Sequence, residues 1–294
     1  MVPVTEPPPG RCWLDGRWLP LAQARVSVLD RGFLFGDGVY EVIPVYGGRP
    51  LRLEQHLDRL EASLGHIRLA NPLPRARWRE LLAEAVHEGG GGDLALYLQV
   101  TRGPAPRRDH AFPAEPRPTV LVLPSPLADA GALRARGAVV VTLPDIRWRW
   151  CHVKAITLLA NVLARQQAAE LGADEALLVR DGLVSEGSAS NVFVVADGVV
   201  RTPPKGEHML PGITRDLVLE LLREAGLPCR EEPLPAARLA GAEEIWISSS
   251  TRELLPVVRL DGRPVGDGRP GPLFARAWAL YDAYREAVRR GEAG

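Results

Sequence analysis

Lys154 is the residue best suited to covalent chemistry, because it is one of only two lysines in the chain, the other being Lys205. Arginine stays protonated at physiological pH, whereas lysine can supply a neutral amine that attacks a carbonyl once its surroundings lower its pKa. Any Schiff-base chemistry must therefore use one of these two residues. Lys205 lies among prolines with no helix behind it, which predicts a solvated side chain. Lys154 precedes a predicted amphipathic helix, although taken alone it could be an ordinary surface lysine at a strand end.

A carboxylate and a helix start elsewhere in the chain would complete a site around this lysine. Glu186 follows a predicted strand and precedes the small residues Gly187–Ser190; taken alone, it could be a solvated hairpin carboxylate. The stretch LPGITR at 210–215 places Gly212 and Thr214 at the start of a helix. Unpaired amides and the positive end of the macrodipole favour a phosphate there, and an ordinary Thr-assisted N-cap is the alternative.

These three groups are the ones that pyridoxal 5′-phosphate requires from a protein. A lysine holds its aldehyde as a Schiff base, a carboxylate keeps its pyridine nitrogen protonated, and a helix start holds its phosphate. Two other features suit a phosphate. Hydroxyl residues cluster at Ser248–Thr251 after a predicted strand. Arg59, on a predicted helix, could add a positive charge, although taken alone a helix arginine is usually solvated.

The composition favours a small molecule as the partner. Lys+Arg and Asp+Glu both total 36, so no excess charge favours binding to nucleic acid or to an anionic membrane. Cys12, Cys151 and Cys229 lie far apart, which predicts neither a zinc site nor a disulfide framework and fits a reducing compartment. No signal peptide and no stretch of membrane-spanning length is evident, so we expect a cytoplasmic protein without a metal.

The elements that must position these residues divide the chain into two predicted domains. We expect a disordered proline-rich tail at 1–10, an N-terminal domain at 11–126, a linker at 127–134 and a C-terminal domain at 135–294. Asp-Gly pairs at 15–16, 181–182, 197–198 and 261–262 predict hairpins. Strands predominate and helices are grouped between them, which indicates an α+β fold.

The period of the apolar residues locates the main helices and strands. The predicted helices cover 54–64, 76–87, 156–171, 213–225 and 272–290. The main predicted strands cover 39–46, 94–102, 118–123, 138–142 and 245–247. The arginine-rich loop between the second and third of these strands is too long for a plain connection, and loops of that size often have a function.

From Cys12 to the final helix, the chain resembles the fold type IV pyridoxal-phosphate enzymes. The family signature matches Glu186, Ser188, Asn191-Val192-Phe193, Val200, Thr202, Leu210, Gly212-Ile213 and Arg215. The resemblance implies a smaller N-terminal α+β domain, a larger C-terminal pseudo-barrel α+β domain, and a homodimer whose active site lies between domains and subunits.

The resemblance also assigns cofactor-binding roles. Lys154 would form the Schiff base and shuttle the proton, and Glu186 would pair with the pyridinium nitrogen. Arg147 would lie near the phenolic oxygen, Leu210 would pack beneath the ring, and Glu175 would support the site indirectly. The remaining cofactor-binding residues would lie around the phosphate: Arg59, Gly212, Ile213, Thr214, Ser249 and Ser250.

Within the family, DGVYEV at 37–42 and the loop TRGPAPRRDHAFP at 101–113 resemble the D-amino-acid transaminase branch. There, a tyrosine and an Arg-x-His pair from the neighbouring subunit bind the substrate α-carboxylate; here these would be Tyr40, Arg108 and His110, with Thr251 also near the substrate. The loop has one extra residue, so Arg107 could replace Arg108. Without the resemblance, a solvated charged loop would be the simpler interpretation.

The resemblance therefore predicts a homodimeric transaminase that acts on D-amino acids, for instance D-alanine with 2-oxoglutarate, by a ping-pong mechanism. A branched-chain L-amino-acid transaminase or an (R)-amine transaminase shares the fold and cofactor. An aminodeoxychorismate lyase would use the same lysine for elimination. A cofactor-binding protein without turnover is disfavoured by the presence of both Lys154 and Glu186.

Overall fold

The computed structural model describes residues 10–294, which form two compact units. The first unit contains the described residues up to Leu127 together with Val153–Thr157 and Ala287–Gly294. The second contains Ala128–His152 and Leu158–Glu286. Apart from Gly10, the predicted disordered tail lies outside the described residues.

The first unit is built on an antiparallel sheet. Its strands are β1 (Arg11–Leu14), β2 (Arg17–Pro20), β3 (Gly38–Tyr46), β4 (Arg49–Pro50), β5 (Leu94–Thr101) and β6 (Thr119–Pro126). They lie in the order β2-β1-β6-β5-β3-β4. The predicted hairpin at Asp15-Gly16 is confirmed, since Trp13 lies opposite Trp18 and both turn residues have positive φ.

Helices of the first unit pack their apolar residues against this sheet. They are α1 (Arg31–Phe35), α2 (Leu53–His66) and α3 (Arg75–Glu88). Leu57, Leu60 and Leu64 of α2 and Trp78 and Leu81 of α3 are buried in one core with the strands. Each fully buried side chain of this kind contributes roughly 1.5–3 kcal/mol, so the sheet and helices form a stable platform.

The second unit contains a mixed sheet. Its strands are β7 (Ala138–Pro144), β8 (Glu175–Arg180), β9 (Leu183–Gly187), β10 (Asn191–Ala196), β11 (Val199–Thr202), β12 (Cys229–Glu231), β13 (Leu234–Pro235), β14 (Glu244–Ser249), β15 (Glu253–Leu260) and β16 (Arg263–Pro264). The order is β12-β11-β10-β14-β15-β7-β8-β9-β13, with β16 beside β15. β7 pairs in parallel with both β15 and β8.

The later helices are α4 (Gly131–Arg136), α5 (Leu159–Glu170), α6 (Ile213–Glu224) and α7 (Pro272–Arg290). Helix α4 occupies the second half of the predicted linker at 127–134. None of the helices within residues 10–294 is long and apolar enough to cross a membrane. One antiparallel sheet and one mixed sheet, with helices grouped between the strands, confirm the predicted α+β class.

The segment Val153–Thr157 departs from the sequence prediction in a way that matters for Lys154. It was expected in the second domain and partly in a helix from 156, but it runs beside β3 in the first unit. Ala155 forms a bridge with Val39, and the Tyr40 amide donates to the Lys154 carbonyl at 3.0 Å. These long-range bonds hold the segment extended, which delays the start of α5 to Leu159.

The end of the chain also departs from the predicted division into domains. Ala287–Gly294, expected in the second domain, belongs to the first unit. There Arg289 donates two hydrogen bonds to the Asp93 carboxylate, at 2.8 and 2.9 Å.

Candidate active site

Lys154 and Tyr40 are neighbours in the first unit. The Lys154 ammonium nitrogen lies 4.2 Å from the centroid of the Tyr40 ring. The backbone of Lys154 is held on both sides, because its amide donates to Ser63 Oγ at 3.2 Å and its carbonyl accepts from Tyr40. The structure therefore brings together the predicted catalytic amine and a predicted substrate-binding phenol.

Glu41 forms a buried charged cluster with two residues of α2. Its carboxylate accepts from Arg59 Nε at 2.7 Å and from Arg59 Nη2 at 2.8 Å, and His56 Nδ1 lies 2.8 Å from Glu41 Oε2. Burial alone would raise the pKa of Glu41, but Arg59 and His56 outweigh it and hold that pKa well below its usual range. Burial lowers the pKa of His56, and the charges of Arg59 and Lys154 act in the same direction, whereas the hydrogen bond and charge of Glu41 oppose them.

Arg59 is therefore fixed in place by Glu41. Its side chain is nearly buried, so it does not have the solvated character that a helix arginine usually has. Its predicted contact with a phosphate stays a prediction.

Glu186 lies near the end of β9 in the second unit and is buried. Its carboxylate accepts from the Leu210 amide at 3.1 Å and from Asn191 Nδ2 at 3.1 Å, and it forms an ion pair with Arg147. Burial raises the pKa of Glu186 to about 7, although the Arg147 charge acts in the opposite direction. A buried carboxyl group that titrates near neutrality is characteristic of functional sites, and the alternative of a solvated hairpin carboxylate is wrong.

Asp145 is a component of this site that the sequence prediction missed. It accepts from Arg147 Nε and Nη2, both at 2.9 Å, and from Ser185 Oγ at 2.9 Å. Burial would raise the pKa of Asp145, but the hydrogen bonds and charge of Arg147 lower it to about 2. Arg147 is thus fixed between two carboxylates, Asp145 and Glu186, whereas its predicted position near a phenolic oxygen stays a prediction.

Helix α6 begins next to this carboxylate cluster. Gly212 is the N-cap and no side chain of residues 10–294 caps the helix, so the Thr-assisted cap is wrong and Thr214 lies inside the first turn. A Cβ at Gly212 would lie 1.9 Å from Asn191 Oδ1. Nδ2 of the same amide donates to Glu186 and to the Leu210 carbonyl. The glycine therefore lets the helix start approach the residues that bind Glu186.

The hydroxyl cluster follows strand β14 in the same unit. Ser248 is buried, and its hydroxyl has no hydrogen-bond partner within the described part of the chain. Ser249 Oγ accepts from the Arg252 amide at 3.2 Å, and Ser250 and Thr251 lie in the turn that follows. A buried hydroxyl without a partner is unusual in a native protein and suits a site that receives a polar ligand.

Arg108 and His110 lie together on the loop between β5 and β6, in the first unit. The Arg108 guanidinium carbon lies 5.0 Å from the centroid of the Phe35 ring, and the His110 ring centroid lies 5.2 Å from it. Both side chains are exposed. The sequence assigned no role to Phe35, although Phe35 follows Arg31 by four residues in DRGFLF.

The predicted site residues thus form groups within each unit. Lys154, Tyr40 and Arg59 belong to the first unit, as do Arg108 and His110. The second unit contains Arg147, Glu186, Leu210, Gly212, Ile213, Thr214, Ser249, Ser250 and Thr251. Among the residues that the structure describes, no group of three or more His, Cys, Asp or Glu side chains could hold a metal ion.

Residues 38–260 match the sequence model of the family described as Amino-transferase class IV. The chain belongs to this family. It is 40% identical over 259 residues to a D-alanine aminotransferase from Bacillus licheniformis, covering 88% of this chain and 91% of that protein. The family and this similarity establish an aminotransferase.

Solved structures give the same fold. A branched-chain amino acid aminotransferase from Escherichia coli superposes with a TM-score of 0.89 at 26% identity, covering 97% of this chain and 96% of that one. A branched-chain aminotransferase from the archaeon Thermoproteus uzoniensis, solved with norvaline, superposes with a TM-score of 0.85 at 27% identity. It covers 97% of this chain and 96% of that one.

Proposed function

We propose that this protein is a pyridoxal 5′-phosphate-dependent transaminase that moves the amino group of D-amino acids, such as D-alanine, to 2-oxo acids, such as 2-oxoglutarate. The observation that carries the proposal is the 4.2 Å approach of the Lys154 ammonium to the Tyr40 ring. It places the amine expected to do the chemistry beside a side chain expected to bind the substrate. Similarity to a D-alanine aminotransferase supports the choice of D-amino acids.

The residues present fit this cofactor. The helix start at Gly212 has no side-chain cap from residues 10–294 and suits a phosphate, to which Ile213, Thr214 and the turn after β14 would contribute. Arg59 would add a fixed positive charge, since Glu41 holds its guanidinium in place. The Ser248 hydroxyl, which has no partner among the described residues, supports a polar ligand nearby.

When bound, pyridoxal 5′-phosphate supplies an aldehyde for covalent attachment and a ring that withdraws electrons from the substrate Cα. Lys154 Nζ is the proposed point of attachment and, once a substrate amine replaces it, the base that removes the Cα proton. Glu186 would hold a proton at the ring nitrogen, a role that suits a carboxyl with a pKa of about 7. Arg147 and Asn191 keep that carboxyl in position.

Substrate recognition would rest on a phenol, a guanidinium group and an imidazole. Tyr40, Arg108 and His110 provide hydrogen-bond donors that suit an α-carboxylate. In this proposal, the Arg-x-His pair acts in the site of a second subunit.

The proposed assembly is a homodimer in the cytoplasm. Large apolar side chains are exposed in both units, including Val28 at 72% and Phe33 at 75% in one unit and Ile146 and Trp148 in the other. Exposed apolar side chains that form patches often mark interfaces. The free thiols of Cys12, Cys151 and Cys229 fit a reducing compartment.

A transaminase for branched-chain L-amino acids is the second candidate, favoured by the E. coli structure with a TM-score of 0.89. The higher identity to a D-alanine aminotransferase, 40% against 26% for that structure, stands against it. An amine-donor panel with 2-oxoglutarate as acceptor separates the candidates. D-alanine and other D-amino acids should support turnover, and the double-reciprocal plots should be parallel, as a ping-pong mechanism requires. Turnover with L-leucine but with no D-amino acid would contradict the proposal.

A further inference from the structure

The buried guanidinium of Arg31 in α1 bonds the backbone of the loop between β5 and β6. Arg31 donates from Nη1 to the carbonyl oxygens of Asp109 and Ala111, the latter at 3.1 Å, and from Nη2 to the carbonyl oxygen of His110 at 3.1 Å. Three consecutive carbonyl groups therefore converge on a single guanidinium. These carbonyl groups lie in the same part of the loop as Arg108 and His110, the pair proposed to bind the substrate carboxylate.

Arg31 is itself held rigidly. Its Nε donates to Asp37 Oδ2 at 2.8 Å, and the same carboxylate accepts from Arg102 Nε at 2.8 Å and Nη2 at 3.0 Å. Both arginines are buried, and Arg102 also lies over the Phe112 ring, 3.7 Å from its centroid. Burial would raise the pKa of Asp37, but the two guanidinium groups outweigh it and lower that pKa, so the carboxylate stays charged.

Phe35 lies close to the Arg31 guanidinium and also to the exposed side chains of Arg108 and His110. Its ring centroid is 4.9 Å from the Arg31 guanidinium carbon, 5.0 Å from that of Arg108 and 5.2 Å from the His110 ring. Arg107 has a different environment, since its side chain is 84% exposed and its nearest ion pair is with Asp109 at 3.4 Å. One aromatic ring therefore contacts Arg108 and His110 together.

We propose that Arg31 and Phe35 are positioning residues for substrate-carboxylate binding, so that Arg108, rather than Arg107, is the arginine presented to the substrate. This proposal rests on the proposed function, and it adds the residues that orient the side chains of Arg108 and His110. Arg31 fixes the backbone at 109–111, and Phe35 fixes the side chains of Arg108 and His110 by cation–π and ring contacts.

A lysine cannot replace Arg31 in this role. Its ammonium is a single point charge without the planar fork of donors, so it cannot bond Asp37 and three loop carbonyls in the same geometry. Arg31→Lys therefore keeps the charge and removes the constraint on the loop. Phe35→Leu keeps an apolar side chain and removes the ring.

The test compares cofactor-loaded wild type with Arg31→Lys, Phe35→Leu and the control Arg259→Lys. Arg259 also donates to a backbone carbonyl, that of Gly262 at 2.8 Å, but it is exposed in the second unit. KM and kcat are measured with D-alanine, and the half-reaction rate is measured with (R)-1-phenylethylamine, which has no carboxylate. Limited trypsin digestion, read by mass spectrometry, reports cleavage after Arg107 and Arg108.

We expect the KM for D-alanine to rise about tenfold or more in Arg31→Lys and in Phe35→Leu, because loss of one charge-assisted contact costs about that much affinity. The kcat with D-alanine and the half-reaction rate with the amine should change little. Cleavage of the loop should become about tenfold faster in Arg31→Lys, because a less constrained loop opens more often. Arg108→Lys should raise KM about tenfold more than Arg107→Lys does.

Equal loss of rate with D-alanine and with the amine would show a merely structural role and overturn the proposal. So would unchanged KM and cleavage in both variants, or a larger effect of Arg107→Lys than of Arg108→Lys. If wild type uses L-leucine and no D-amino acid, the proposed function fails instead. In that case, faster cleavage of Arg31→Lys would still support the claim that Arg31 constrains the loop, and unchanged cleavage would overturn that claim.

Discussion

Arg147 and Glu186 form a buried ion pair in which both partners have further support. Arg147 is held by Asp145, with two hydrogen bonds of 2.9 Å, and Glu186 accepts from the Leu210 amide at 3.1 Å. Burial nevertheless raises the pKa of Glu186 to about 7. A carboxyl group with this pKa suits the proposed role of Glu186, which is to share a proton with the ring nitrogen of the cofactor.

The raised pKa of Glu186 predicts how the cofactor-free protein responds to pH. Its folded pKa of about 7 exceeds the ordinary 4.5, so the stability it contributes is present below pH 4.5 and is lost as pH rises through 7. Relative to Glu186→Gln, which does not titrate, wild type should lose about 3 kcal/mol of unfolding free energy across this range. Urea unfolding at several pH values measures the difference, and parallel pH profiles would contradict the assignment.

Removing the charge of Glu41 should destabilise the fold strongly. Glu41→Gln leaves Arg59 buried without its carboxylate, which typically costs about 3 kcal/mol or more. Glu54 is the matched control, since it bonds the side chains of two residues, Arg75 and Arg79, as Glu41 does, but its own side chain is 46% exposed. Glu54→Gln should cost less than about 1 kcal/mol in the same urea titration. Similar losses in both variants would mean that the Glu41 cluster is not a buried charge pair.

Gly212 is expected to tolerate no side chain. The Cβ of Gly212→Ala would lie 1.9 Å from Asn191 Oδ1 and displace the amide that donates to Glu186. Overpacking of this kind costs roughly 1–3 kcal/mol, so affinity for pyridoxal 5′-phosphate should fall about tenfold or more. Gly206→Ala is the control, because a Cβ at that position would have no described atom within 4 Å apart from those of Gly206 and its two chain neighbours. Equilibrium dialysis compares the two, and equal affinities would argue against a crowded helix start.

Local signals in the sequence predicted the hairpins correctly. Each Asp-Gly pair at 15–16, 181–182, 197–198 and 261–262 forms its turn, with positive φ at both residues. The start of α6 after Pro211-Gly212 was also predicted, since a glycine before an apolar period is a local signal.

Contacts between distant parts of the chain were not predicted. Val153–Thr157 pairs with β3 through bonds that join residues more than a hundred positions apart, and no propensity encodes such a pairing. The ion pair of Arg147 with Glu186 and the Arg31 contact with the 109–111 carbonyls likewise depend on the folded backbone. The resemblance named the residues of the site, whereas their supports became visible only in three dimensions.

Lys154, rather than Lys205, should carry the cofactor. Borohydride treatment of the loaded protein should fix a phosphopyridoxyl group on Lys154, and Lys154→Ala should lose this label and its transaminase activity. Lys205→Ala should keep both, because Lys205 is half exposed and pairs with Asp216 at 2.7 Å. Peptide mapping by mass spectrometry locates the label. A label that disappears with Lys205→Ala instead would refute the assignment.

The most direct test of the central claim is the spectrum of the loaded enzyme during one half-reaction. D-alanine without an acceptor should remove the visible absorbance of the bound cofactor and release pyruvate, and 2-oxoglutarate should then restore the absorbance. L-alanine and L-leucine should leave the spectrum unchanged. A spectrum that responds to L-leucine and not to D-alanine, or a purified protein that binds no pyridoxal 5′-phosphate, would contradict the account.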